Sequence, residues 1–264
     1  MNNNLKTKKI LNTILIVIII IVAIIIILAE LDRGKKRKVP ISAEMYYKHG
    51  VWITAPFNLI VQHNAKRASD TRPFPSMKNN FPQHKHLQNN WEEIRDEVLH
   101  LYNTEGMSKI KDDMFFDKIA DDKWKKFYIK WYGDSLLDAK HKLPFTTSLI
   151  DSIPRIKSAM ISVLEPGAKI VQHVGPYRPA MRYHLCLQSA GDGCFIKVDG
   201  EKYSWKDGED VLFDDTFVHE VKNDADKTRI VLFCDVQREL DSDWANTAID
   251  FSSHIAKVTT RNNK

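Results

Sequence analysis

Cysteine is scarce. The 264 residues include three, Cys186, Cys194 and Cys234, none in a CxxC or comparable metal-binding spacing. An odd count without such spacing argues against a secreted fold stapled by disulfides. The N-glycosylation signal Asn-x-Ser/Thr occurs nowhere, so no acceptor asparagine is on offer. Both absences lean toward a reducing, cytosolic setting for the main domain. Positive charge is also scarce where a polyanion would need it. The formal net charge is +5, yet residues 1–40 alone hold eight Lys/Arg against two Asp/Glu. The other 224 residues hold 31 basic and 32 acidic side chains. A near-neutral body has no basic face to neutralise phosphates, so nucleic acid is not the expected partner. The remaining composition, 43% hydrophobic and 28% charged, is globular and excludes a disordered or collagen-like chain.

One long apolar run stands apart. Residues Ile14 to Ala29 are apolar without a break. With residues 10–13 they make about 30 Å of helix at roughly 1.5 Å per residue, enough to cross a bilayer core. A cleaved signal peptide is the alternative. The run is longer than a signal core, and charged residues follow it in place of a small-residue cleavage site, so an anchor is expected. Lys6, Lys8 and Lys9 precede it, whereas Arg33, Lys35, Lys36, Arg37 and Lys38 follow it. Five against three favours a cytoplasmic C-terminal domain.

From Pro40 to about Leu87 the chain is rich in Pro, Asn and His and reads as an irregular wrapping segment. His84 and His86 form an HxH pair expected at the surface. Asn90 is the expected cap of a helix, with Glu93 at the capping-box position. Trp91, Ile94, Val98 and Leu101 give that helix an apolar stripe. The aromatic-dense stretch Trp124–Asp134 reads as core packing.

After Ile153 short alternating runs alternate with turn signals. The expected strands are Ala159–Leu164, Lys169–Val174, Met181–Gln188, Cys194–Val198, Glu201–Trp205, Asp210–Phe213, Phe217–Lys222 and Arg229–Val236. Glu165-Pro166-Gly167, Asp192-Gly193 and Asp207-Gly208 mark turns, and Asp199-Gly200 between two alternating strands is a strong hairpin signal. Eight short strands in about 80 residues predict an antiparallel jelly roll.

Period-two alternation puts Arg182, His184 and Cys186 on one face, and Arg229 with Val231, Phe233 and Asp235 on another. An Arg that shares a face with Val and Phe either holds its head in water or points inward and needs an anion. His173 and His219 lie on different expected strands. Imidazole is a common ligand for iron, copper and zinc, and two such histidines in a jelly roll followed by an Arg form a more specific pattern than either alone.

At these residues the chain resembles the aspartyl/asparaginyl β-hydroxylase family. The matching motifs are His173-Val-Gly175-Pro, Arg182-Tyr-His184-Leu, Gly193-Cys-Phe-Ile, Trp205-x-x-Gly208, Phe213-Asp-Asp-Thr-Phe-x-His219-Glu-Val and Arg229-Ile-Val-Leu-Phe-Cys-Asp235. Upstream, Trp124–Asp134 with Ser152-Ile-Pro-x-Ile-Lys157 is similar to membrane-anchored bacterial hydroxylases of lipid A acyl chains. The resemblance spans roughly residues 88–240. It implies a double-stranded β-helix, mainly β and cupin-like, with a helical or irregular N-terminal region and one transmembrane helix.

It also implies roles. His173 and His219 would bind Fe(II). Arg229 would pair with the far carboxylate of 2-oxoglutarate, helped by Ser162. Arg182 and His184 would lie along the cosubstrate, and Trp131 would be a further contact. The implied reaction hydroxylates an unactivated C–H bond with Fe(II), 2-oxoglutarate and O2 and releases succinate and CO2. One position departs from the wider superfamily. Gly175 stands where a carboxylate ligand is usual, as it does in the peptidyl hydroxylase branch, whereas the lipid branch carries Asp. Asp214, Asp215 and Glu220 are not expected to replace that ligand.

The expected organisation is a tail over 1–9, a transmembrane helix over 10–29 and a basic linker over 30–45. A wrapping region over 46–152, the dioxygenase domain over 153–240 and a C-terminal helix and tail over 241–264 follow. The expected substrate is a peptidyl Asp/Asn or a membrane lipid acyl chain. A non-catalytic jelly roll that binds an anion is the competing reading.

Overall fold

The computed structural model describes residues 2–33, 37–109 and 121–260. Lys35 and Lys36 of the basic linker lie outside them, as do residues 261–264 of the tail. Nine α-helices, one short 3-10 helix (Ala68–Thr71) and eleven strands are described. The N-terminal half is mostly helical: α1 (Asn2–Arg33), α2 (Ala43–Lys48), α3 (Val51–Asn64), α4 (Met77–Asn80), α5 (His84–Gln88) and α6 (Trp91–Thr104). Strands β1 (Ser108–Lys109), β2 (Trp124–Trp131) and β3 (Asp134–Ser135) follow, then α7 (Leu137–Lys142) and α8 (Pro144–Asp151). The jelly roll proper contains β4 (Ile156–Leu164), β5 (Lys169–His173), β6 (Ala180–Gln188), β7 (Cys194–Val198), β8 (Glu201–Ser204), β9 (Asp210–Phe213), β10 (His219–Asn223) and β11 (Arg229–Gln237). Helix α9 (Asp243–Thr260) closes the order.

Within α1, Ile10–Arg33 is long and apolar enough to cross a membrane, and its most apolar 18-residue window has a mean hydropathy of 3.6. Its isoleucines are half exposed along the run, and burial begins at Ala29. A bilayer has no water to satisfy backbone polar groups, so a helix is the form such a segment takes there even when β-branched residues dominate it.

The strands form two antiparallel layers. The larger sheet has the order β1-β2-β4-β11-β6-β9, with β3 beside β2, and the smaller has the order β5-β10-β7-β8. From β4 onward the chain passes back and forth between the layers, which makes a double-stranded β-helix. Alternation gives the central strands of the large sheet, β4, β11 and β6, two buried faces. Ala159, Ile161 and Val163 pack outward with Tyr183, Leu185, Leu232 and Cys234 against Ile94, Val98 and Leu101 of α6. Met160, Leu164, Cys186 and Val231 face inward, toward Ile170, Ile196 and Val221 of the small sheet. The Asp199-Gly200 hairpin forms as expected, both residues having positive φ, 52° and 84°, as a tight two-residue turn requires.

Four readings need correction. The large sheet begins well before residue 153, because β2 pairs with β4 along its length. Its sequence hides this. A bulge between Tyr128 and Lys130 shifts the in–out phase by one residue, so no period-two pattern survives. The stretch after Pro40 is substantially helical. In α3 the buried residues Val51, Ala55, Asn58 and Val61 recur at helical spacing, and Pro56 inside the helix masks the signal. The expected capping box at Asn90 does not form. Its side chain donates instead to the His86 carbonyl at 2.7 Å. His84 is buried, not a surface residue. Its Nδ1 lies 2.7 Å from an Asp210 carboxylate oxygen that also accepts from the Tyr183 hydroxyl.

Candidate active site

Between the two sheets lies a cavity with about 490 Å3 of space, part of it open to solvent, and its walls include Ser162, His173, Arg182, His184, Asp215, His219 and Arg229. Register explains the convergence. His173 at the end of β5 is the direct cross-strand partner of His219 at the start of β10, and the two ring centroids are 4.0 Å apart. Each ring is fixed in the same way. Nδ1 of His173 donates to the Val171 carbonyl at 2.7 Å, and Nδ1 of His219 to the Phe217 carbonyl at 2.9 Å. That pairing places the proton on Nδ1 and leaves the Nε2 lone pair to act as a ligand. Burial, aided by the neighbouring His219, holds His173 well below the usual imidazole range, and burial brings His219 down to about 4. Both rings are neutral near pH 7, the form that binds a metal. Among the described residues no third His, Cys, Asp or Glu joins them in a metal-holding group.

Gly175 has a steric cause. A Cβ at this position would lie 2.0 Å from Oδ2 of Asp215, so the Asp215 carboxylate fills the space that a side chain on residue 175 would need. The Gly175 amide donates to the Asp215 carbonyl at 2.7 Å and holds the two backbones together. Burial raises the Asp215 pKa against the pull of Arg182. Asp214 faces away, into a buried cluster with Thr216, Arg178 and Arg238. Glu220 points outward, 3.8 Å from Lys197.

The two arginines differ. Arg182 donates from Nε to Asp215 at 2.8 Å and from Nη1 to Asp235, so two carboxylates engage its guanidinium. Arg229, at the opposite end of the cavity, is 2% exposed and makes no ion pair among the described residues. Its Nη2 is 3.4 Å from Ser162 Oγ, which accepts from Trp124 Nε1 at 2.9 Å, and its guanidinium lies 4.7 Å from the Trp205 ring centroid. Burial pushes the Arg229 pKa down. His184 lies between the arginines, near-parallel to Trp205 at 5.9 Å and 4.8 Å from the Phe233 ring. Burial and then Arg229 hold its pKa well below the ordinary value.

Several buried polar atoms in this cavity have no protein partner: both ring nitrogens of His184, Nε of Arg229 and Oδ1 of Asp215. Unpaired buried polar groups are costly. A neutral imidazole pair at one end and an unpaired cation at the other fit a metal ion and an anionic ligand between them.

Trp131 occupies the barrel-facing register opposite Ser158, at the Arg182 end, but it is not among the residues that line the cavity. It packs between Tyr128 and Tyr132. The tryptophans at the Arg229 end are Trp124 and Trp205, and sequence reasoning assigned neither to the site. The positive residue on an apolar strand was the signal for them, because a buried guanidinium needs flat partners as well as an anion.

Two antiparallel layers enclosing paired imidazoles and a buried arginine define a jelly roll with a candidate metal- and anion-binding cavity. The chain belongs to the aspartyl/asparaginyl β-hydroxylase family, whose model matches residues 88–239. It is 36% identical over 125 residues to the ornithine lipid ester-linked acyl 2-hydroxylase of Rhizobium tropici, covering 47% of this chain and 44% of that protein. It is 31% identical over 158 residues to the aspartyl/asparaginyl β-hydroxylase of Homo sapiens, covering 58% and 20%. Human aspartate β-hydroxylase domain-containing protein 2 is 29% identical over 174 residues, covering 62% and 47%. The chain thus spans less than half the length of each of these three relatives.

Proposed function

We propose that this chain is a membrane-anchored Fe(II)- and 2-oxoglutarate-dependent hydroxylase. The observation that carries this is the unpaired Arg229 guanidinium, buried at one end of a cavity whose other end presents two neutral imidazoles. Nε2 of His173 and Nε2 of His219 would hold Fe(II). With 2-oxoglutarate and O2, bound iron supplies the oxidising power that hydroxylates an unactivated C–H bond, with succinate and CO2 as coproducts.

The protein's own part is binding and orientation. Arg229 holds the far carboxylate of 2-oxoglutarate, and the Ser162 hydroxyl, fixed by Trp124, sets the guanidinium's plane. Trp205 covers its face and excludes water. His184 offers a ring N–H to the cosubstrate in a pocket of aromatic rings. Asp215, paired with Arg182, keeps an acceptor oxygen beside the imidazole pair. Helix α1 is the anchor, and the excess of basic residues after it puts the catalytic domain on the cytoplasmic side.

The substrate is a membrane lipid acyl chain or a peptidyl Asp/Asn. A lipid is favoured by the anchor and by the acyl hydroxylase among the relatives, and a peptide by Gly175 and the human relative. The test is succinate release together with gain of one oxygen atom in candidate lipids or membrane proteins. Both should disappear in His173→Ala and in His219→Ala. A wild-type chain that neither binds Fe(II) nor consumes 2-oxoglutarate would overturn the proposal, and metal-independent anion binding alone would identify a non-catalytic module.

A further inference from the structure

Helices α2 and α3 meet at a corner, His49-Gly50, where Gly50 takes the left-handed conformation, φ 71°. The inner side of this corner has a small core of its own. It joins Ala29 of α1 with Ile41, Tyr46, Val51 and Ala55, and with Val174 and Val218, the neighbours of His173 and His219. Polar contacts reinforce it. The Tyr46 hydroxyl donates to Asp32 at 3.1 Å and the Tyr47 hydroxyl to Glu30 at 2.7 Å. Asn58, 1% exposed, donates to the Pro176 carbonyl at 3.0 Å and accepts from the Arg178 amide at 2.8 Å. The end of α1, the corner and the loop after His173 are therefore one packed unit. The His49 ring lies 6.3 Å from that of His173.

The outer side of the corner has a different character. Ile53 is 61% exposed and Tyr47 38%, Lys48 is exposed, and Trp52, which packs in part on the inner core, is half-buried. Tyr, Trp and Lys around an exposed aliphatic side chain form the composition of a membrane–water interface. The corner touches α1 where its apolar run ends, at Ala29 and Glu30, which is the level at which a crossed bilayer would give way to headgroups.

We propose that the α2–α3 corner docks on the bilayer that α1 crosses, which holds the mouth of the cavity at headgroup level. This rests on the reading of α1 as an anchor. Two membrane contacts on one packed unit would fix the tilt of the barrel, whereas a single helix would leave it free.

The test uses the full chain in phosphatidylethanolamine–phosphatidylglycerol vesicles. The three native cysteines are buried, so a thiol-reactive fluorophore reports on one introduced cysteine at a time: Ile20→Cys in α1, Ile53→Cys at the corner and Asp226→Cys in the turn at the Arg229 end of the barrel. Lipids brominated on their acyl chains should quench the probes at 20 and 53 and spare the one at 226. Quenching at 20 without quenching at 53 overturns the docking while the anchor stands. No quenching at 20 overturns the anchor and the docking with it. A probe at 53 shielded equally in detergent, with self-crosslinking of the chain, shows a second copy on the corner and also overturns the proposal. Adding Ile53→Asp should remove most of the quenching of a Lys48→Cys probe and leave 2-oxoglutarate binding unchanged, whereas retained quenching would contradict docking through this side chain.

Discussion

The two ends of the cavity hold the same kind of charge in opposite circumstances. Arg182, beside the histidines, is engaged by Asp215 and Asp235. Arg229, at the other end, has aromatic and hydroxyl neighbours and no carboxylate among the described residues. A buried ion pair that loses one member leaves an uncompensated charge, whereas a buried ion without a partner is already costly and waits for a ligand. In charge pairing, one end is thus complete as folded protein, and the other holds a cation with no counter-ion among the described residues.

The largest expected effect follows from the complete end. Arg182→Met should leave two buried carboxylates facing each other without their cation and lower stability by about 3–5 kcal/mol. Chemical denaturation of the chain without cosubstrate measures it. Arg229→Met should behave oppositely. It removes an unpaired charge, so the unfolding midpoint without cosubstrate should stay level or rise. Affinity for 2-oxoglutarate should fall roughly ten- to a hundredfold, since a hydrogen bond to a charged group is worth about 1.5–3 kcal/mol. Titration calorimetry reads that loss. Equal destabilisation by the two substitutions would erase the contrast between the ends.

Gly175 sharpens the contrast at the histidine end. Gly175→Ala should cost about 1–3 kcal/mol by overpacking against the Asp215 carboxylate, and Gly175→Asp should not restore a metal ligand, because that space is filled. Shortening the neighbour in Gly175→Ala/Asp215→Gly should relieve the clash, so the two changes should be non-additive in an unfolding cycle. Strict additivity would mean that the two side chains do not compete for one space.

Much of this was legible in the chain. Strands β4–β11 announced themselves because one face of each is apolar and their turns carry Gly or Asp-Gly, and alternation grouped Arg182 with His184 and Arg229 with Val231 and Phe233 but left open whether those faces point into the barrel or into water. The register of β2 was not legible, because a single bulged residue destroys a period-two pattern. Nor was the difference between the arginines. Asp235 reaches Arg182 as its cross-strand partner, and Asp215 reaches it from the turn before β10, a placement that only the closed barrel creates. Gly175 stood out as a departure, but its cause lies forty residues away in sequence, in the side chain of Asp215.

The smallest expected effect separates a positioning hydroxyl from the charge it positions. Ser162 Oγ accepts from Trp124 and lies within reach of Arg229, so Ser162→Ala removes one acceptor and keeps the cation. A neutral hydrogen bond contributes about 1 kcal/mol net, which predicts a loss of 2-oxoglutarate affinity of roughly fivefold. The Trp124 N–H would be left without this acceptor in a buried site, so a comparable loss of stability should accompany it. The signature is therefore a paired loss, in contrast with Arg229→Met, where affinity falls while stability holds. If Ser162→Ala matched Arg229→Met in both readouts, the hydroxyl and not the guanidinium would be the principal contact of the bound carboxylate.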